Sequence, residues 1–505
     1  MIVYSSIILV FFLLIVCAIL FVILKRPTPI DLVLGCICAM LPVNWFIEVG
    51  GLVVSPIYDV AFVLGVPIFV MNMLQHKHYR NRYVFMLICL FLGYQVWSFT
   101  ARFVQAGGTS LQPVWALYRN DLISVVFLLA GIVLAWRPLH VQRCILAILI
   151  GTFALEATIG VVQTASQGRL LTGFYNNNNL YLGFLSPLPR VMIPPVVSTE
   201  VSSGATTDNG IFVGSIFRAV GTHLQANWFA VSMVGGIALC MGPMLVRQQP
   251  RWLRLWAMGA ISLMLLALGL SFTRTGYVAF AAMCVWYVMF WQGFYQRLRT
   301  MQIIFVITLI ALVVLVIGGL SFDSVRIKLG ETVVTRLQGM QQPLEALVQE
   351  NFRIKLWRIA FDRVGDSPWF GVREPIKLQQ INPYMPLNID VPLHNQLVSS
   401  IYNGGYILGG FYLFTHFWLL WKSGQLKSHK KYKPMLETWA ITANLGFVGL
   451  AVESIGINWM AGASLPGLFW LLAGITVMQY RVIYVEEPSV VPVASHPPMR
   501  HVIVQ

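Results

Sequence analysis

A histidine and an asparagine, His394-Asn395, stand where a long polar stretch gives way to the apolar, glycine-paired run LVSSIYNGGYILGG. An imidazole with an ordinary pKa near 6.5 can serve as a general base at neutral pH, although a lone histidine at such a place also serves as a helix cap or interface residue. Asn395 suits the N-cap of the following helix. Arg274 stands in LSFTRTGYV, a turn of three or four polar residues between two apolar runs, and Arg218, Gly221, His223 and Asn227 lie in SIFRAVGTHLQANWFA. The stretch NFRIKLWRIAFDRVGDSPWFGV carries Arg353, Lys355, Arg358 and Arg363, with Phe352, Leu356 and Ile359 recurring at helical spacing. Arginine's planar fork matches phosphate oxygens in a bidentate way that lysine cannot, so two or three of these arginines would cradle a diphosphate. The plainer alternative is that each guanidinium reaches lipid headgroups while its stem lies in the apolar zone. Arg274 fits that alternative least, because a charge in so short a turn needs a partner.

The elements that must hold these residues are membrane helices. Of 505 residues, 57% are hydrophobic and 10% charged, against roughly 25% charged in soluble domains. Uncharged segments such as Ser5 to Leu24 and Met301 to Leu320 are long enough to cross a hydrocarbon core about 30 Å thick. The apolar runs are continuous where a transmembrane barrel would alternate, so the expected fold is all-α, a polytopic integral membrane protein. The net charge of +15 is spread over short connections, which argues against nucleic acid as a partner. The seven cysteines all fall in apolar segments without a CxxC pair, so neither a disulfide framework nor a cysteine metal site is expected.

Thirteen spans are expected, near 5–24, 31–47, 57–74, 83–101, 119–136, 143–163, 228–246, 255–272, 276–292, 301–320, 397–421, 436–455 and 464–480. Every second connection then carries the positive charges, among them Lys25 and Arg26, Lys77, Arg80 and Arg82, Arg137 and Arg143, Arg247, Arg251 and Arg254, and Lys422 to Lys433. The positive-inside rule makes those cytoplasmic, with the N-terminus outside and the first helix retained. The expected organisation is a six-helix bundle over 1–163, an outer region at 164–227, central helices over 228–320, a large outer loop with short helices at 321–396, C-terminal helices over 397–485 and a disordered cytoplasmic tail at 486–505. Long loops are uncommon unless functional, and both face outward, which puts the site there. The small-xxx-small spacing of Gly404-Gly405 and Gly409-Gly410 predicts close helix packing.

At these residues the sequence resembles the O-antigen ligase and polymerase superfamily of bacterial lipid-linked glycan transferases. The resemblance runs from about Arg218 to Gly410. It is carried by Arg218, Gly221 and Asn227, by Thr273-Arg274, by Arg353 and Trp357 followed by Pro368 and Gly371, and by His394-Asn395 with Gly405 and Gly409. It implies Arg274 and Arg353 as holders of a donor diphosphate and His394 as the base that activates an acceptor hydroxyl. Arg218, Asn227, Asn395 and Arg358 are then substrate contacts. The implied donor is an undecaprenyl-diphosphate-linked glycan, the acceptor a glycan or lipid A core, and the place the periplasmic side of the bacterial inner membrane. No cofactor and no metal are expected, and no DxD motif occurs in the outer loops. Two features depart from the family pattern: Gly371 is followed by Val372-Arg373 where a Gly-x-Gly is usual, and thirteen spans exceed the usual twelve, a difference that an extra N-terminal helix would reconcile.

The acceptor separates a ligase, using lipid A core, from a polymerase, using a second lipid-linked repeat; transfer to a protein hydroxyl is the weaker third reading. A transporter for the same lipid-linked glycan would place ionisable groups at the midplane of repeated halves. Glu156 and Glu453 lie in or near spans, but no internal repeat is visible and the arginines and histidine gather at one face.

Overall fold

The computed structural model describes residues 2–42, 47–49, 52–54, 56–79, 81–105, 107, 124–166, 173–175, 179–181, 212–213, 216–217, 219, 223, 226–291, 352–372, 374, 376–377, 393, 395–426, 434–457 and 464–485. Helices dominate. They are α1 (Ile2–Leu24), α2 (Pro29–Met40), α3 (Pro56–Gln75), α4 (Arg82–Gln105), α5 (Ser124–Trp136), α6 (Leu139–Ala165), α7 (Ala226–Leu245), α8 (Arg251–Leu270), α9 (Arg274–Trp291), α10 (Phe352–Asp366), α11 (Gln396–Gln425), α12 (Pro434–Gly456) and α13 (Ser464–Val485). Three small antiparallel hairpins accompany them: Ile47–Val49 with Leu52–Val54, Gly173–Tyr175 with Asn179–Tyr181, and Phe212–Val213 with Ile216–Phe217. Five helices, α4, α6, α7, α8 and α12, are long and apolar enough to cross a membrane by length and composition. The chain is an all-α, multi-pass membrane protein.

α7 and α12 are buried over most of their length and form the centre, whereas α4 and α8 are peripheral. α7 packs on α8 and α12, α9 and α11 pack on α12, and α11 also packs on α4. The closest approach is between α5 and α13. A Cβ on Gly131 would overlap the Leu471 carbonyl, and one on Gly474 would overlap that of Leu128, which is how small residues bring membrane helices together. Peripheral helices present Phe21, Val22, Leu64, Phe85, Phe414 and Phe417 outward, the surface that acyl chains cover.

The helices alternate in direction, so the bundle has two unlike ends. Arg137, Arg143, Arg247, Arg251, Arg254 and Lys422 lie at one end. There Arg137 pairs with Asp31 at 2.7 Å and donates to Thr28 Oγ1, tying α5 to the capping box that starts α2. At the other end are the C-termini of α6, α8 and α12 and the N-termini of α7, α9 and α11.

Two expectations need correction. The span at 31–47 stops at Met40, and Ile47 is already in a strand; Leu41 is still helical as the C-cap, and Pro42 after it has no N–H with which to continue the helix. The glycine pairs of α11 do not pack helices. Gly404 and Gly405 leave helical geometry, with Gly405 at φ +70°, and Gly409 faces Ile401 of its own helix. The span at 301–320, residues 119–123, the bulk of the 164–227 region and the tail from Glu486 lie outside the described residues, so the thirteen helices seen include α10 and omit one that was expected.

The broken α11 receives the turn at Pro368–Gly371. Tyr406 N donates to Pro368 O at 2.9 Å and Val372 N to Tyr402 O at 2.7 Å. From α4, Trp97 Nε1 donates to Gly404 O at 2.8 Å while its ring stacks on Phe370, and Gln105 Nε2 donates to Asn403 O at 3.0 Å and also to Phe370 O. Backbone groups released by the break are thereby satisfied, a requirement wherever a helix is interrupted at membrane depth. Gly405→Ala adds a Cβ that collides with Trp369 O at a left-handed position costing about 1–2 kcal/mol on its own. Limited proteolysis should show 352–372 cleaved faster in that variant, with the melting temperature of the bundle lowered less than by Gly474→Val, which forces α5 and α13 apart.

Candidate functional site

The site is assembled from the helix ends opposite the basic end. α8 finishes in a tight reversal. Ser271 Oγ accepts from Thr273 N at 3.3 Å, and Phe272 takes φ +51°, a left-handed conformation that an aromatic residue rarely adopts and that costs about 1–3 kcal/mol. α9 then begins at Arg274. The reversal is anchored on α7, since Thr273 Oγ1 lies 3.4 Å from both Asn227 Oδ1 and Ala226 O. Arg274 is exposed and has no ion-pair or hydrogen-bond partner among the described residues. It projects from the first turn of a helix, where unpaired N–H groups and the macrodipole also favour an anion.

Directly beneath this turn lies Glu453 of α12, fully buried, with Oε1 against Gly276. Thr275 is close enough to interact with it electrostatically, yet among the described residues neither carboxyl oxygen nor Thr275 Oγ1 has a hydrogen bond of good geometry. An ionisable group inside a membrane bundle marks a functional region by default. The sequence shows Glu453 only as an acid in a span; its position under Arg274 depends on the packing of α9 on α12.

Two residues beyond Glu453, the Ile455 carbonyl accepts from Asn395 Nδ2 at 3.1 Å. Asn395 is the N-cap of α11, its Oδ1 accepting from Val398 N at 2.9 Å. One side chain therefore caps α11 and ties it to the end of α12. Leu393 O in turn accepts from Trp357 Nε1 of α10 at 3.0 Å. α10 buries Leu356, Ala360 and Val364 against Ile376, Leu393, Val398, Ile401 and Tyr402, the i, i+4 stripe of an amphipathic helix. Arg363 holds its far end by donating to Glu374 O and Tyr402 Oη at 3.3 and 3.2 Å.

The expected site residues are thus distributed as follows. Asn227 and Asn395 belong to the contacts that join these helix ends, and Arg274 stands beside them at the start of α9. Arg353 lies in the backbone of α10 one helical turn before Trp357. Arg358 lies on the exposed face of α10, with no partner among the described residues. Arg218 and His394 lie outside the described residues. The contacts between helix ends also involve Thr273, Trp357, Ile455 and Glu453.

Against this geometry the comparison with known families is direct. Residues 259–413 match the family model described as O-antigen ligase. That stretch is similar to the O-antigen ligase family. It contains Arg274, Arg353, Arg358, His394 and Asn395, and it begins after Arg218 and Asn227, so the matched residues start later than the motifs that carry the resemblance. No curated protein matches the chain. The matched stretch contains α9, α10 and the first part of α11, while α7 and α12, which lie outside the match, supply Asn227, Glu453 and Ile455.

A second histidine on this side serves a different purpose. His223 is buried against Phe229, and its Nε2 lies 3.7 Å from Glu156 Oε1. Burial pushes its pKa down to about 3, so at neutral pH the ring is uncharged and the contact is not a salt bridge. Because this value lies below the ordinary 6.5, the stability contributed by the neutral ring is complete above about pH 6.5 and is lost as pH falls toward 3, at no more than about 1.4 kcal/mol per pH unit. The melting temperature of the purified chain should therefore fall more steeply between about pH 6.5 and 4 than that of His223→Gln; equal slopes contradict this reading.

Proposed function

We propose that the protein transfers a glycan from undecaprenyl diphosphate to a sugar hydroxyl, with lipid A core as the acceptor, on the periplasmic face of the bacterial inner membrane. The observation that carries this is Arg274, exposed at the first turn of α9, unpaired among the described residues, and tied through α12 to the entry of α11 and the helix bearing Arg353. An unpartnered guanidinium at a helix N-terminus is suited to a phosphate. Arg274 and Arg353 hold the donor diphosphate, and His394 takes the proton from the acceptor hydroxyl as that oxygen attacks the anomeric carbon. The bond from the anomeric carbon to the diphosphate breaks, the configuration inverts, and undecaprenyl diphosphate leaves with its charge neutralised by arginine. Fixed cations placed where charge develops lower such a barrier, which is why no metal is invoked. Arg218, Asn227, Asn395 and Arg358 are proposed to contact the substrates, Asn227 and Asn395 through the turn and cap that they stabilise.

Orientation follows from the two unlike ends of the bundle: the basic end belongs in the cytoplasm and the Arg274 end outside. The grouping of Asn227, Arg274 and Asn395 at one end favours chemistry at a surface over alternating access. A polymerase uses the same donor site and differs in its acceptor, a second lipid-linked repeat.

The test is a gel of surface polysaccharide and lipid-linked intermediates from cells lacking the protein, complemented with wild type, His394→Ala or Arg274→Lys. Each variant should insert normally and lose transfer by at least about 100-fold, the lower range for a missing general base. Long chains stranded on the carrier identify a ligase and accumulated single repeats a polymerase. Full transfer by His394→Ala removes the base assignment, and unchanged glycan pools in the deletion remove the transferase reading.

A further inference from the structure

At the end of the bundle opposite the site, α4 begins where α11 and α13 finish, and the three helices enclose a cation. Lys422 is only 7% exposed. Its ammonium lies 4.1 Å from the Tyr480 ring centroid, 4.7 Å from Trp421 and 5.1 Å from Tyr83. Its one hydrogen-bond acceptor among the described residues is Gln425 Oε1 at 3.2 Å, which leaves donors over. The other side chain on Tyr83 is also a cation, Arg82, with Cζ 4.8 Å from the ring centroid and a guanidinium N–H donated to Tyr83 Oη at 2.9 Å. Neither Lys422 nor Arg82 has a carboxylate partner among the described residues. Asn81, next in sequence, adds a buried Nδ2 donor without a partner among them.

Ring faces attract cations at about 0.5–2 kcal/mol each, which explains how Lys422 is tolerated. They do not explain why a second cation shares the same tyrosine, since like charges brought together repel. Two cations and a neutral donor with no carboxylate beside them among the described residues call for an anion. The surroundings indicate which one. Trp421 is 61% exposed, and Phe417 one turn earlier and Phe85 one turn into α4 are exposed as well, so an apolar surface runs from the cationic corner toward the membrane middle. Tyrosine and tryptophan gather at headgroup depth in this way, and basic pockets between transmembrane helices hold anionic headgroups.

We propose that this corner binds an anionic phospholipid, its phosphate oxygens on Arg82 and Lys422 and its acyl chains over Phe85, Phe417 and Trp421. In the orientation proposed above this is the cytoplasmic leaflet, but the site does not depend on the chemistry at the other end. Its ligand is a phosphate ester on a lipid, and the competing source of the same chemistry is free inorganic phosphate.

Native mass spectrometry of the full chain in detergent, titrated with phosphatidylglycerol or phosphatidylcholine, reads the site directly. Phosphatidylglycerol should be retained and phosphatidylcholine not, with Arg82→Gln weakening retention about fivefold, the effect of removing one surface cation, and Lys422→Gln at least as much. Arg251→Gln, at the same end of the bundle but outside this corner, should retain lipid as the wild type does. Inorganic phosphate should raise the melting temperature of neither wild type nor Arg82→Gln; a rise that Arg82→Gln abolishes overturns the lipid and makes free phosphate the ligand. Equal phosphatidylglycerol retention by wild type and Arg82→Gln overturns the site. Arg82 is an exposed residue, so its variant keeps the test decisive even where Lys422→Gln fails to fold.

Discussion

The break in α11 at Gly404 and Gly405 is the constraint on which the Arg274 end of this protein depends. A continuous helix would satisfy its own carbonyls and offer nothing to the 368–372 turn. Interrupted, it exposes Tyr402 O, Asn403 O and Gly404 O, which are taken up by Val372 N, Gln105 and Trp97. Those bonds fasten the C-terminal side of α10 to the membrane bundle. The other side is fastened where Trp357 meets Leu393, one residue before His394. α10 is therefore held at two points, and Arg363 adds bonds to Glu374 O and Tyr402 Oη at its far end.

The same economy runs beneath the Arg274 turn. Thr273 meets Asn227, Gly276 meets Glu453, Ile455 meets Asn395, and Asn395 caps α11. α7, α9, α11 and α12 thus meet at one level of the bundle. Buried polar groups are costly unless satisfied, which makes the incompletely bonded Glu453 and the left-handed Phe272 stand out. Strain and unsatisfied polarity collect where structure serves function before stability. The opposite end is built on other rules, with paired or ring-bound cations such as Arg137 on Asp31 and Lys422 among its aromatics.

Much of this was legible from residue types. Continuous apolar runs announced the helices, the 3.6-residue spacing around Leu356 announced α10, and an asparagine before an apolar run announced the cap of α11. The turn at Arg274 was visible because so few polar residues separate two spans. The rest required three dimensions. The small-xxx-small spacing of the α11 glycines reads as a packing face, but the Trp369 carbonyl, supplied by another segment, decides for the break at Gly405, while Gly131, Gly242 and Gly474 are among the glycines that do bring helices together. Pro42 ended α2 early although the apolar run continues. Nothing in the sequence singles out Trp97 and Gln105, because their partners on α11 and the Pro368–Gly371 turn are far away in sequence. Arg353 and Arg358 share a helix, yet spacing alone did not show that position 358 lies on its exposed face.

The central claim is that Arg274 grips the donor while His394 acts on the acceptor, so the two residues should separate in a binding measurement without turnover. Equilibrium binding of a labelled undecaprenyl-diphosphate glycan to the purified chain, with no acceptor present, makes that separation. The account predicts that Arg274→Gln loses at least about tenfold in donor affinity, or about 1.4 kcal/mol, a modest loss for a charge-assisted bidentate contact, while His394→Gln binds donor as the wild type does. Donor bound equally by Arg274→Gln and wild type would contradict it.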